Sequence, residues 1–178
     1  MSAKNSEQQW GWPSKLMHWL TALLIFIQIP LGFYAHELER SPLKLELFGW
    51  HRSLGILILM LVTLRLLWRI AGTVPTSIDA SLIQRRLANL AHSLLYGLIL
   101  VLPLSGWLMS SAANRPINFF WLFELPAISG PNETLKALAK EIHEISVFIL
   151  IVVLVVHIGA ALHHHFKFRD SVLKRMWF

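Results

Sequence analysis

The chain has 178 residues, of which 55% are hydrophobic and only 15% charged, against about 45–50% and about 25% in soluble domains, so much of its surface must face something other than water. Its formal net charge of +6 comes from basic residues beside apolar runs rather than among polar, aromatic-rich stretches, which argues against a nucleic-acid partner. The lack of cysteine excludes disulfides, Cys-ligated iron–sulfur clusters, Cys-containing zinc sites and haem attached through C-x-x-C-H.

In chain order, the first twelve residues are polar and aromatic and are not followed by a short apolar core with a small-residue cleavage site, so no removable signal peptide is expected. A span of about 20 apolar residues crosses a bilayer as helix, and four stretches qualify. The first covers about 16–35, without Asp, Glu, Lys or Arg; the second covers about 50–70, opening on Trp50-His-Arg and then, from Ser53 to Ile70, carrying Arg65 and Arg69 only near its end. The connection Ala71 to Arg86, carrying Gly72, Pro75 and Ser77, reads as a polar loop. The third span covers about 87–112. Asn114 to Lys140 is the longest outer connection, and the aromatic run at 118–123 predicts a short helix or belt at the membrane interface. The fourth span covers about 143–166. Pro30 and Pro103 predict kinks that a bundle accommodates. The expected fold is an all-α membrane protein, a four-helix transmembrane bundle running up-down-up-down, with residues 1–178 as a single domain and no separate soluble module.

Cytoplasmic flanks retain Lys and Arg. Lys4, Lys15, Arg65, Arg69, Arg85, Arg86, Lys167, Arg169, Lys174 and Arg175 fall on one side, ten in all, against six on the other, where seven acids accompany them. Both termini are therefore expected in the cytoplasm.

Among nine histidines, His18, His51, His92, His143 and His157 fall within spans or at their first turns. Ionisable groups there are costly and mark function by default, although a neutral imidazole bonded to a carbonyl is the plain alternative for any single one. His143 and His157 are fourteen residues apart, nearly four turns, so they share one helix face with a rise of about 21 Å between them. With alternating span directions, His18 and His92 come to the inner depth and His51 to the outer. Each layer then has candidates from two helices, the way bundle cores build cofactor sites, and the ligand count fits two haems. Zinc is the rival reading, but it usually wants four ligands. A proton relay commonly adds intramembrane Asp or Glu. Neither carboxylate occurs in the apolar runs of the four spans, the last of them taken from Ile145 to Phe166. Gly32, Gly55, Gly106 and Gly159 fit either clearance for a macrocycle or close helix packing. Glu141 and Glu144, which flank His143, are read as a solvated helix start.

The segments Lys15-Leu-Met-His-Trp, Trp50-His-Arg-Ser-Leu-Gly, Ala91-His-Ser-Leu-Leu-Tyr and Pro103-Leu-Ser-Gly-Trp-Leu-Met, together with the last span and its His164-His165, resemble the bacterial cytochrome b561 family over nearly the whole chain. That family is related to the di-haem membrane subunits of formate dehydrogenases and hydrogenases. The resemblance implies two non-covalent haem b groups with bis-histidine ligation, His18 and His157 on the inner iron, His51 and His143 on the outer. His92 competes with His18 by depth and is left a supporting or propionate role. The implied chemistry is one-electron transfer across a bacterial inner membrane. Its partners would be membrane lipid, a quinone or quinol such as ubiquinone, superoxide, or a redox partner protein. The alternative class is a haem-bearing anchor that passes electrons for a separate dehydrogenase or hydrogenase. Arg52, Arg115 and Lys136 are candidates to steer an anion to the outer haem, and Arg65, Arg69, Arg85 and Arg86 to meet propionates, with interfacial anchoring as the commoner use. His163-His164-His165 fit a quinone contact, a headgroup contact or adventitious metal binding equally.

Overall fold

A computed structural model describes residues 2–76 and 81–178. Four helices dominate: α1, Trp12–Glu37; α2, Pro42–Ala71; α3, Leu82–Ala112; and α4, Glu133–His163, prolonged by a π-helical turn over His164–Phe168. All four are long and apolar enough to cross a membrane. Large apolar side chains stand exposed along them, among them Phe26, Met60, Ile70, Phe148 and Val155, and a water-facing bundle would not carry so much apolar surface.

The helix starts follow capping chemistry. Ser41 accepts from Lys44 N–H with Pro42 at the first helical position, Asn132 accepts from Leu135 N–H, and Ser81 and Gln84 form a reciprocal capping box. That box corrects the loop expected from Ala71 to Arg86. Ala71 closes α2 and the segment from Leu82 to Arg86 is the first turn and more of α3, because Ser81 captures the orphan N–H groups there. Ser77 lies outside the described residues. The helix α4 likewise starts at Glu133, so Glu133 to Lys140 belongs to it and not to the preceding connection. Pro30 and Pro103 both sit inside continuous helices.

Sequential neighbours pack together, α1 on α2, α2 on α3 and α3 on α4, as short connections in an up-down-up-down bundle require. The backbones of α1 and α4 make no comparable approach. The core of the bundle is Leu24 and Ile25 from α1, Ile58 and Val62 from α2, Leu95 and Ile99 from α3 and Leu150 from α4.

The aromatic run is not helical. Asn118–Phe119 (β1) and Phe123–Glu124 (β2) pair antiparallel, Asn118 opposite Glu124 and Phe119 opposite Phe123. The turn between them holds Phe120 at φ 47° and Trp121 at φ 59°, a left-handed conformation that costs a non-glycine residue about 1–2 kcal/mol. Contacts with α2 hold it there. The Ser53 hydroxyl, fully buried, accepts from Phe120 N–H at 3.0 Å and donates to the Asn118 carbonyl at 3.2 Å. Trp121 packs on Trp50 with ring centroids 5.0 Å apart and lies over Gly49, where a Cβ would come within 3.3 Å of its ring.

Candidate functional site

Two clusters of imidazoles lie between the helices. At the hairpin end, His51 of α2 faces His143 of α4 with ring centroids 6.2 Å apart and planes 67° to each other. At the end that holds the chain termini, His18 of α1 faces His157 of α4 at 6.4 Å and 70°, and His92 of α3 approaches the same His157 at 5.5 Å. His18, His51, His143 and His157 are half-buried, whereas His92 is exposed.

Two metal–nitrogen bonds of about 2 Å, with each ring centre about 1 Å further back, put the centroids of two axial imidazoles about 6 Å apart. The 6.2 Å and 6.4 Å pairs fit that spacing, and the His92–His157 pair at 5.5 Å is tighter. Among the described residues no three His, Asp or Glu side chains converge to hold a metal ion, so the arrangement suits a group that takes two imidazoles and not tetrahedral zinc.

The ring nitrogens sharpen the fit. His143 Nδ1 lies 3.0 Å from the Leu102 carbonyl and 3.1 Å from Ser105 Oγ, and that hydroxyl itself donates to the Leu102 carbonyl at 2.9 Å. A carbonyl only accepts, so Nδ1 carries the hydrogen and Nε2 keeps its lone pair, the tautomer an axial ligand needs. Nδ1 of His18 and Nδ1 of His51 are buried without a hydrogen-bond partner. The His51 ring stands against α1, where a Cβ on Gly32 would come within 2.8 Å of its Cε1. Gly106 is less restrictive, since a Cβ there would meet His143 Cε1 at 3.5 Å. A Cβ on Gly55 would reach Gln28 Nε2 at 3.4 Å, and one on Gly159 would meet nothing within 4 Å.

At the termini end, Arg65 lies over the Tyr96 ring at 5.4 Å, and Arg69 lies near both Trp10 at 5.5 Å and Tyr96 at 5.8 Å. The chain ends are knotted beside His18. Lys15 Nζ donates to the Trp177 carbonyl at 2.7 Å and Trp19 Nε1 to the Met176 carbonyl at 2.8 Å, while Arg175 donates to the carbonyls of Gln8 and Thr76. His164 Nδ1 pairs with an Asp170 carboxylate oxygen at 2.5 Å. Burial works against ionisation of Asp170, but hydrogen bonds from His164 and from Val172 N–H outweigh it and hold its carboxyl below the usual range.

Of the cations singled out at the hairpin end, Lys136 is paired with Glu133 at 2.8 Å, while Arg52 donates to the carbonyls of Phe48 and Pro116. Glu144 pairs with Lys140 on an exposed face of α4, in keeping with the solvated reading. Sequence reasoning gave no site role of their own to Lys15, Trp19 and Ser105, which it met only as parts of longer segments, and it passed over Gln28. The signal for Gln28 was available: it is an amide in the middle of an uncharged apolar span.

The model of the prokaryotic cytochrome b561 family matches residues 9–178. The chain is 32% identical over 184 aligned positions to Cytochrome b561 homolog 2 of Escherichia coli (strain K12), covering 99% of this chain and 95% of that protein. It is 31% identical over 166 residues to Cytochrome b561 homolog 1 of the same organism, covering 90% of this chain and 92% of the relative. It is 29% identical over 164 residues to the Probable superoxide oxidase CybB of Yersinia pestis, covering 90% of each. Four membrane-length helices, paired imidazoles between them and a family match over nearly the whole length agree, and the chain belongs to the prokaryotic cytochrome b561 family of multi-pass membrane electron-transfer proteins, a membership that implies haem b.

Proposed function

We propose that this chain, as a single domain, holds two haem b groups and passes single electrons from one face of the bacterial inner membrane to the other. His18 and His157 are the axial ligands at the end that holds the chain termini, which faces the cytoplasm, and His51 and His143 are the ligands at the hairpin end. The observation that carries this reading is two pairs of facing imidazoles, 6.2 and 6.4 Å apart, one at each depth of α4, the first joining α4 to α2 and the second joining it to α1. Two imidazoles at each depth would hold haem there, and the chemistry it would supply is one-electron exchange.

The protein's part is to hold and orient. Leu102 and Ser105 fix the tautomer of His143, and Gly32 lets the Cε1 edge of the His51 ring come close against α1. Trp19 braces the His18 ring edge-on at 5.3 Å, and Arg65 and Arg69 supply positive charge near the termini-end pair for haem propionates. His92 is assigned no iron bond, because its tighter approach to His157 and its exposure suit a neighbour of the site better than an axial ligand.

The electron partners are a quinone, ubiquinone included, at the termini end, where Asp170 holds His164, and superoxide at the hairpin end. The latter is supported by the similarity to a protein named a probable superoxide oxidase and by the cationic Arg52 close to His51 in the chain.

Reduced-minus-oxidised spectra with haem quantification test the ligand set. Wild type is expected to hold two haems per chain, and His18→Ala, His51→Ala, His143→Ala and His157→Ala to lose one each, with His92→Ala keeping both. A colourless pure protein would sink the reading, and loss in His92→Ala with retention in His18→Ala would exchange those two residues.

A further inference from the structure

The amide of Gln28 lies in the middle of α1 and has no role in the ligand set above. Its Nε2 donates to the backbone carbonyl of His51 at 2.7 Å, so the nitrogen end of the amide is committed to α2. The oxygen end is not. Gln28 Oε1 is buried without a hydrogen-bond partner, and so is Nδ1 of His51. One orphaned acceptor and one orphaned ring nitrogen therefore belong to the same contact between α1 and α2.

The ring edge that carries Nδ1 faces α1, since a Cβ on Gly32 would stand 3.2 Å from Nδ1 and 2.8 Å from Cε1. Gln28 is one helical turn before Gly32 and shares its face. A buried polar group left unpaired is costly, and most costly where no bulk water can reach it. Two complementary orphans in one contact resolve that cost by joining. The opposite ligand shows the same principle satisfied: His143 Nδ1 is already taken by the Leu102 carbonyl and Ser105, whereas for His51 the rival acceptor is the main-chain carbonyl of Gln28, which Gln28→Met leaves in place.

We infer that Gln28 is a positioning residue for His51, its Oε1 accepting the Nδ1 hydrogen of the ring, directly or through one water, so that Nε2 is left free toward His143. The inference rests on the proposal that His51 is an axial ligand. An acceptor on the far nitrogen makes an imidazole a stronger electron donor to its metal. Stronger donation favours the ferric state, so removing the acceptor raises the midpoint potential of the haem at the hairpin end and leaves the other haem unaffected.

The test uses the full chain purified in detergent, with haem content, optical redox titration and ferric EPR measured for Gln28→Met and Gln28→Glu. Methionine keeps the length of the side chain and removes both amide functions; glutamate keeps acceptor oxygens but removes the donor to the His51 carbonyl. Gln28→Met is expected to keep two haems per chain, to shift one of the two midpoint potentials upward and to alter the EPR signal of that haem alone. Gln28→Glu is expected to show no upward shift. Equal upward shifts in both variants would assign the effect to the lost carbonyl bond and overturn the inference, as would an unchanged potential and EPR spectrum in Gln28→Met. Should Gln28→Met lose haem, recovery of haem in Gln28→Glu supports the acceptor role and an equal loss overturns it. Retention of both haems by His51→Ala is a separate result, which removes the ligand assignment itself.

Discussion

His143 on α4 gives its Nδ1 hydrogen to the carbonyl of Leu102 on α3, 3.0 Å away, and the hydroxyl of Ser105 closes the triangle at 3.1 Å from the ring and 2.9 Å from the same carbonyl. The bond locks the ring's rotation and its tautomer from a neighbouring helix. Ser105→Ala removes one of the two contacts. The expected outcome is full retention of both haems with a small shift in the absorption and EPR features of one, and a loss of stability of about 1 kcal/mol. Spectra of the purified variant alongside thermal unfolding check both.

Gly32 carries no side chain because the His51 ring occupies that space. A Cβ there would stand 2.8 Å from Cε1, a distance at which the ring or the helix has to move. Gly32→Ala is expected to lower haem content toward one per chain and to cost about 1–3 kcal/mol of stability. Gly106→Ala and Gly159→Ala, which meet only ordinary contact and nothing within 4 Å, are expected to keep both haems. Haem per protein, measured side by side, decides.

The aromatic hairpin is held in a strained turn by one buried hydroxyl. Ser53→Ala leaves Phe120 N–H and the Asn118 carbonyl without that partner, and the turn residues at positive φ then lose the contact that pins them. A destabilisation of about 1–3 kcal/mol is expected, with faster hydrogen exchange confined to residues 117–125. Protection unchanged in that segment would mean that the indole of Trp121 on Trp50 suffices alone.

Asp170 ties the tail back onto His164. Its carboxyl is held below the usual carboxylate range in the folded chain, so its contribution to holding the tail is present above the unfolded value and is lost as pH falls through the lower folded value. Hydrogen exchange across residues 164–178 is expected to accelerate in acid for wild type. Asp170→Asn is expected to exchange faster already near neutrality and to vary less with pH. Identical pH profiles for the two proteins would remove Asp170 from this role.

Much of the architecture was legible without coordinates. Four apolar runs, three of them uncharged and the second charged only near its end, predict four spans because hydrocarbon excludes unpaired charge and demands helix, a property of each segment taken alone. The fourteen-residue interval between His143 and His157 likewise puts two imidazoles on one face of α4 by periodicity. Boundaries were less legible: Ser81 and Asn132 start α3 and α4 well before their apolar runs, since capping and amphipathic turns extend a helix beyond the bilayer. The aromatic run at 118–123 reads as a belt or short helix, yet it forms a hairpin, because Ser53 sits far away in sequence and supplies the bond that holds the turn.

The sequence by itself therefore determined how many times the chain crosses the membrane and at which depths its imidazoles lie, since hydropathy and helical period are local. Which ring meets which was decided only by the tertiary structure, through the rotation and spacing of whole helices. His18 and His92 share a depth, but they differ in their distance from His157 and in exposure. The same holds for Gln28 and Gly32, whose meaning arises from the ring on α2 that α1 packs against.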